Sequence, residues 1–202
     1  VSATEELDGS SFETFEFSEG RLSRFLDHLA DAWAQIIPDF DRQTLALFGF
    51  LDAISRTWET AQADTLDKFG LNYAEFLTLG NLRTSPPGVL RSPTELRQLV
   101  RQTSAGMARV LSKLEALGYV RRQPHAEDRR SSVMLLTPKG RAAVDRAFRA
   151  LHERQRELLA PLSPHDRPIL AGSLGQLHAA LVLDRVQVAR PRGASRAVNV
   201  ER

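Results

Sequence analysis

The spacing of apolar residues changes where the chain passes Gly118. Before that point they recur every three or four residues, the mark of amphipathic helices. Beyond it, Tyr119 to Gln123 and Ser132 to Leu136 read as two strands joined by a polar loop, His125 to Ser131. The two strands are expected to form a hairpin. Thr137-Pro138 then restarts a helical pattern. Ahead of the hairpin, Ser92-Pro93-Thr94-Glu95 is a strong helix start, with a capping serine, a proline at the first position and a glutamate at the third. That short helix ends near Arg101. A tight turn leads into a second helix, Thr103 to Leu117, with Met107, Val110, Leu111, Leu114 and Leu117 facing inward and Gly118 as its stop. Residues 92–137 are therefore helix, tight turn, helix, hairpin.

Helices flank this unit. Leu22, Leu26, Leu29, Trp33 and Ile36 form one stripe, ended by Pro38. Leu47, Leu51, Ile54, Trp58 and Ala61 form another, on a helix from about Arg42 to Phe69 with Gly70 as its stop. At about 1.5 Å per residue that helix spans about 40 Å, so other helices or another chain must cover its apolar face. Tyr73 to Leu82 reads as a shorter helix, followed by the turn Ser85 to Gly88. After the hairpin a helix runs to about Leu159 and is broken by Pro161. A last one starts at Ser163-Pro164 and carries Leu170, Leu174, Leu177 and Leu181 on one face. Residues 1–18 read as a flexible acidic arm and residues 187–202 as a basic, disordered tail.

Charge is distributed unevenly over a chain of net charge +2. Residues 1–37 hold eight acidic and two basic side chains; residues 91–149 hold thirteen basic and five acidic ones. A concentrated basic block in a nearly neutral protein is the footprint of a polyanion binder. The exposed side of the second helix of the pair offers Thr103, Ser104, Ala108, Arg109, Ser112 and Lys113, all small, hydroxylated or basic. Small residues admit close approach to base edges, hydroxyls bond phosphates or bases, and arginine forks onto guanine. At the hairpin tip, Asp128 is placed to orient a neighbouring arginine, and Arg129, Arg130 and Ser131 to reach a flanking groove or backbone. A narrow minor groove favours arginine.

This is the plan of a winged helix-turn-helix: mainly α, with a two-stranded β wing and N- and C-terminal helical regions for dimerisation. Residues 71–140 closely resemble the multiple-antibiotic-resistance regulator (MarR) family. The likeness rests on Ser92 to Leu96, Met107 to Arg122 and Glu127 to Gly140, above all on Asp128 and Arg130 of the wing followed by Leu136, Thr137 and Gly140. Weaker likeness covers the helices at 42–69 and 138–185. The resemblance implies an obligate homodimer with interleaved terminal helices, a palindromic operator and release by a small ligand. The expected organisation is 19–70 for dimerisation and a ligand cleft, 71–137 for DNA binding, and 138–186 for C-terminal dimerisation. The added helix with Trp33 is similar to one in the urate-responsive branch of that family. There, a tryptophan lines the pocket with an acidic residue and an arginine. Here those two positions fall on Leu77 and Val110, which points to a more hydrophobic effector, of the class of an aromatic acid or related metabolite. Trp33, Phe48, Phe69, Phe76, Leu77 and Val110 are the expected pocket residues.

The chain therefore reads as a ligand-responsive transcriptional regulator, a repressor in the cytoplasm, with no cofactor and no membrane partner. The alternatives are an activator without an effector and a winged-helix module for protein contacts. An enzyme is not expected. The chain has no cysteine, no Gly-rich dinucleotide or phosphate loop, and no complete zinc-binding His-Glu-x-x-His, since Arg156 stands where the second histidine after His152-Glu153 would be. No apolar run approaches the ~20 residues of a membrane span.

Overall fold

The computed structural model describes residues 20–87, 89–124 and 132–188, with side chains described as far as residue 182. The arm at 1–18 and nearly all of the tail at 187–202 lie outside the described residues. The described elements, in chain order, are α1 (Arg21–Ala34), α2 (Arg42–Asp67), α3 (Tyr73–Arg83), α4 (Pro93–Val100), α5 (Ser104–Ala116), β1 (Val120–Pro124), β2 (Ser132–Leu136), α6 (Pro138–Leu158) and α7 (Asp166–Val188). The chain divides into two compact units, residues 1–147 and 148–202. The division falls within α6, inside the segment expected to serve C-terminal dimerisation.

Local chemistry sets the element ends. Asp41 caps α2 by accepting from the backbone N–H groups of Gln43 and Thr44 and from the Thr44 hydroxyl. The hydroxyl and amide of Thr44 hold the Asp41 carboxyl below its ordinary value. A lowered carboxyl favours the folded turn above the unfolded-state pKa, and that contribution is lost as pH falls through the folded value. Gly70 (φ 66°) and Gly118 (φ 69°) supply the left-handed turns after α2 and α5. Asn72 and Glu75 form a capping box on α3, and Ser92 and Glu95 another on α4. The last helix begins at Asp166, later than the expected Ser163-Pro164. Ser163 accepts from the Asp166 amide at 3.1 Å.

The core of the first unit gathers Leu66, Leu71, Leu79, Leu96, Leu111, Leu114 and Met134, all under 2% exposed. The strands pair antiparallel, Val120 opposite Leu136 and Pro124 opposite Ser132. Arg91 adds a single bridge to Met134, whose N–H donates to the Arg91 carbonyl at 2.8 Å. That bridge closes the hairpin against the segment entering α4 and has no signature in the sequence pattern.

Three of the apolar stripes are covered less than expected. In the first, Leu26 and Ala30 of α1 are buried, while Trp33 and, past the helix end, Ile36 stand 41% and 69% exposed. On α2 the stripe members Leu47 and Ile54 are exposed and Ala61 is buried, together with Ala53, Gln62, Thr65 and Leu66 off the stripe. A stripe shows where a helix wants cover, and within one chain the small residues of α2 take it, because they allow close packing. Gly49 sits so near Leu26 that an added Cβ would lie 2.5 Å from a Leu26 methyl. Asp31 and Arg42 pair across the turn between α1 and α2. On α7 Leu170, Leu174 and Leu181 remain exposed. No helix among the described residues is long and apolar enough to cross a membrane.

α6 is anchored to the end of α5 by a close backbone approach. Thr137 donates its hydroxyl to the Gly118 carbonyl at 2.7 Å, and its N–H to the Tyr119 carbonyl at 3.0 Å. The same hydroxyl accepts from the Gly140 N–H at 3.0 Å. A Cβ on Gly140 would lie 2.0 Å from the Tyr119 carbonyl oxygen. That neighbour is backbone and cannot swing away. Gly140→Ala is expected to destabilise the fold by about 1–3 kcal/mol or more, read as a lowered denaturation midpoint. An unchanged midpoint would show that α6 does not dock there.

Candidate nucleic-acid interface

α4 and α5 meet through a turn that bends on one non-glycine residue in the left-handed region, Arg101 at φ 55°. The turn is held by Arg101 N–H donating to the Gln98 carbonyl and Gln102 N–H to the Arg97 carbonyl. Thr103 then caps α5, its hydroxyl accepting from the Gly106 N–H at 3.0 Å. The cap spends one hydroxyl lone pair and leaves the hydroxyl proton for another partner.

Burial divides α5 lengthwise. Met107, Val110, Leu111 and Leu114 are buried. Thr103 and, on the helix, Ser104, Ala108, Arg109, Ser112 and Lys113 are exposed. The structure thus brings all six onto solvent-facing positions at the start and along one side of α5. Arg109 makes no ion pair with a described residue. Its guanidinium remains available to a polyanion.

Lys113 differs from the expectation of a free cation. Its ammonium donates to the Glu75 carboxylate of α3 at 2.9 Å. Glu75 is 3% exposed, and the same carboxylate accepts from the Asn72 N–H at 2.9 Å and the Asn72 side-chain amide at 3.0 Å. A carboxylate this buried needs cationic or hydrogen-bonding partners, and Lys113 is one of them. The lysine ties α5 to the start of α3, and its charge is already compensated. Arg101 is a further exposed cation beside α5 that the sequence reading did not single out. It is exposed, lies beside the first turn of α5 and makes no ion pair with a described residue. The signal available was an arginine where a helix-turn-helix must bend.

On the hairpin, Arg121 is exposed. Arg122 pairs with Glu115 of α5 at 3.5 Å and donates to the Ser132 hydroxyl at 3.3 Å. Asp128, Arg129, Arg130 and Ser131 lie outside the described residues.

The expected pocket residues do not share one environment. Phe76 and Val110 are core side chains, 7% exposed each, whereas Trp33 and Phe48 are surface rings at 41% and 49%. Phe69 and Leu77 are half-buried. Within one chain the six divide between core and surface. Among the described residues there is no cluster of three or more histidine, aspartate or glutamate side chains able to hold a metal ion.

The geometry has counterparts. A family model described as MarR family matches residues 69–131. The chain is 28% identical over 166 residues to the HTH-type transcriptional regulator PecS of Dickeya dadantii, covering 81% of this chain and 100% of that protein. It is 32% identical over 84 residues to the regulator PrsX of Escherichia coli, covering 42% of this chain and 50% of that protein. Among solved structures it resembles the transcriptional repressor CouR bound to a 23-mer DNA duplex, at 26% identity and TM-score 0.58, over 65% of this chain and 92% of that one. MarR of E. coli, at 20% identity and TM-score 0.56, shares the fold over 63% of this chain and 93% of its own. The matched helix-turn-helix with its antiparallel hairpin is thus similar, in sequence over residues 69–131 and in fold, to winged-helix transcriptional regulators of the MarR family.

Proposed function

We propose that the protein binds a palindromic operator in double-stranded DNA as a homodimer. In this reading α5 enters the major groove, and the hairpin tip with Asp128 and Arg130 touches the flanking minor groove or backbone. The observation that carries it is the exposed side of α5: small, hydroxylated and basic, with no acidic side chain from Thr103 to Lys113. CouR, similar in fold, is bound to a duplex in its structure. Two copies of α5 related by a two-fold axis would meet successive major grooves about 34 Å apart.

The dimer has support in apolar surface that a single chain leaves open. Leu47, Phe48, Phe50 and Ile54 of α2 are 40–64% exposed. Ile169, Leu170, Leu174 and Leu181 of α7 are 41–56% exposed. Several large apolar side chains exposed along one helix are the kind of surface that association covers. Function as a repressor, released by a small aromatic or apolar effector that prefers one spacing of the two wings, completes the reading. A ligand shifts such an equilibrium only by its differential affinity for the two states.

Specific binding should exceed binding to random duplex at physiological salt, and it should weaken steeply as salt rises. Arg109→Ala and Arg130→Ala should each cost about 1–3 kcal/mol of operator affinity. Lys113→Ala should leave the salt slope nearly unchanged, because its charge is already paired with Glu75. A slope reduced by about one for Lys113→Ala would reverse that assignment. Ile54→Arg should yield monomers in sedimentation equilibrium, and a dimer undiminished by it would remove α2 from the interface. Titration with the true effector should abolish the operator mobility shift; a shift that persisted at saturation would reject release.

A further inference from the structure

A cavity of about 470 Å³ opens between the C-terminal half of α2 and the start of α3. Its lining includes Trp58, Glu59, Gln62 and Asp67 of α2, with Asn72 and Tyr73 at the head of α3. It is distinct from the Trp33, Phe48, Phe69, Phe76, Leu77 and Val110 set. The volume lies in the range of small-molecule sites.

Two features of the wall agree on one chemistry. First, two carboxylates line it and no basic side chain does. Neither Glu59 nor Asp67 is ion-paired with a described residue, and Arg56, on the same helix, is engaged by Asp52 at 2.9 Å. Glu59 accepts only the weak partner Ser55, at 3.2 Å. Second, Trp58 and Tyr73 offer ring faces, and Tyr73 is steadied by stacking on Phe76 with centroids 6.5 Å apart. Cations seat on such faces, tryptophan being the best. Gln62 adds a neutral amide to the same wall. An aromatic acid would add a third negative charge to this wall. A cation with an apolar or aromatic body relieves the repulsion and covers the rings.

We propose that this cavity is a binding site for an organic cation with an aromatic body. Glu59 and Asp67 neutralise the charge, and Trp58 and Tyr73 cover the body. The site is tested on the full chain without DNA, so the outcome stands apart from the operator and effector readings. Trp33→Phe leaves Trp58 as the single tryptophan. That protein is titrated with tetraphenylphosphonium and, separately, with tetraphenylborate, which has nearly the same shape and the opposite charge. The phosphonium should quench Trp58 saturably, and the borate should not. Adding Glu59→Gln and Asp67→Asn together should raise the phosphonium Kd at least tenfold. Both substitutions are at exposed positions, and far-UV circular dichroism checks the fold. Equal or tighter binding of the borate, no saturable quenching, or a phosphonium Kd unmoved by the double substitution would each overturn the proposal.

Discussion

The placement of the exposed side of α5 depends on the Glu75 carboxylate and its partners. One buried carboxylate caps the first turn of α3, accepts twice from Asn72 and holds the Lys113 ammonium of α5. The start of α3 and the last turn of α5 are thereby fixed to each other by charge as well as by the core between them. Removing Lys113 would leave the Glu75 carboxylate under-compensated at a nearly dry site, which costs more than the pair contributes when intact. The orientation of α5 therefore does not rest on apolar packing alone.

A second constraint is distance. The α5 end, the first hairpin strand and the α6 start are drawn together by Thr137 and by the absence of a side chain on Gly140. Arg83 of α3 reinforces the first half of α6 by pairing with Asp145 at 2.9 Å. The winged domain is thus tied to α6 through backbone contacts that tolerate little change. The apolar faces of α2 and α7 are left uncovered in each unit. Rigid anchoring beside open apolar surface is the arrangement that the proposed association of copies would use to space the two α5 helices.

Aromatic residues are used in two ways. Phe76, like the aliphatic Val110, is buried in the core, and a polar anchor there would have to be buried with a partner. Trp58 and Tyr73 instead line an open cavity whose remaining polar wall is acidic and neutral amide. The acidic character of the chain's N-terminal part and the basic character of residues 91–149 thus place two electrostatic environments on one protein.

Much of the local structure is legible in the residues. The capping boxes at Asn72 and Ser92, the stops at Gly70 and Gly118, the inward set of α5 and the two strands all follow from short-range rules, since caps, turns and periodicity act within a few residues. The outward set of α5 follows from the same periodicity. What tertiary structure alone decided lies between distant residues. Lys113 meets Glu75 across 38 positions; Arg91 bridges Met134; the α2 stripe is left open while its alanines are buried; and Trp58, Gln62 and Tyr73 are gathered around one cavity. Periodicity states which face of a helix is apolar, but only packing of the whole chain selects which face is covered and which charges become neighbours.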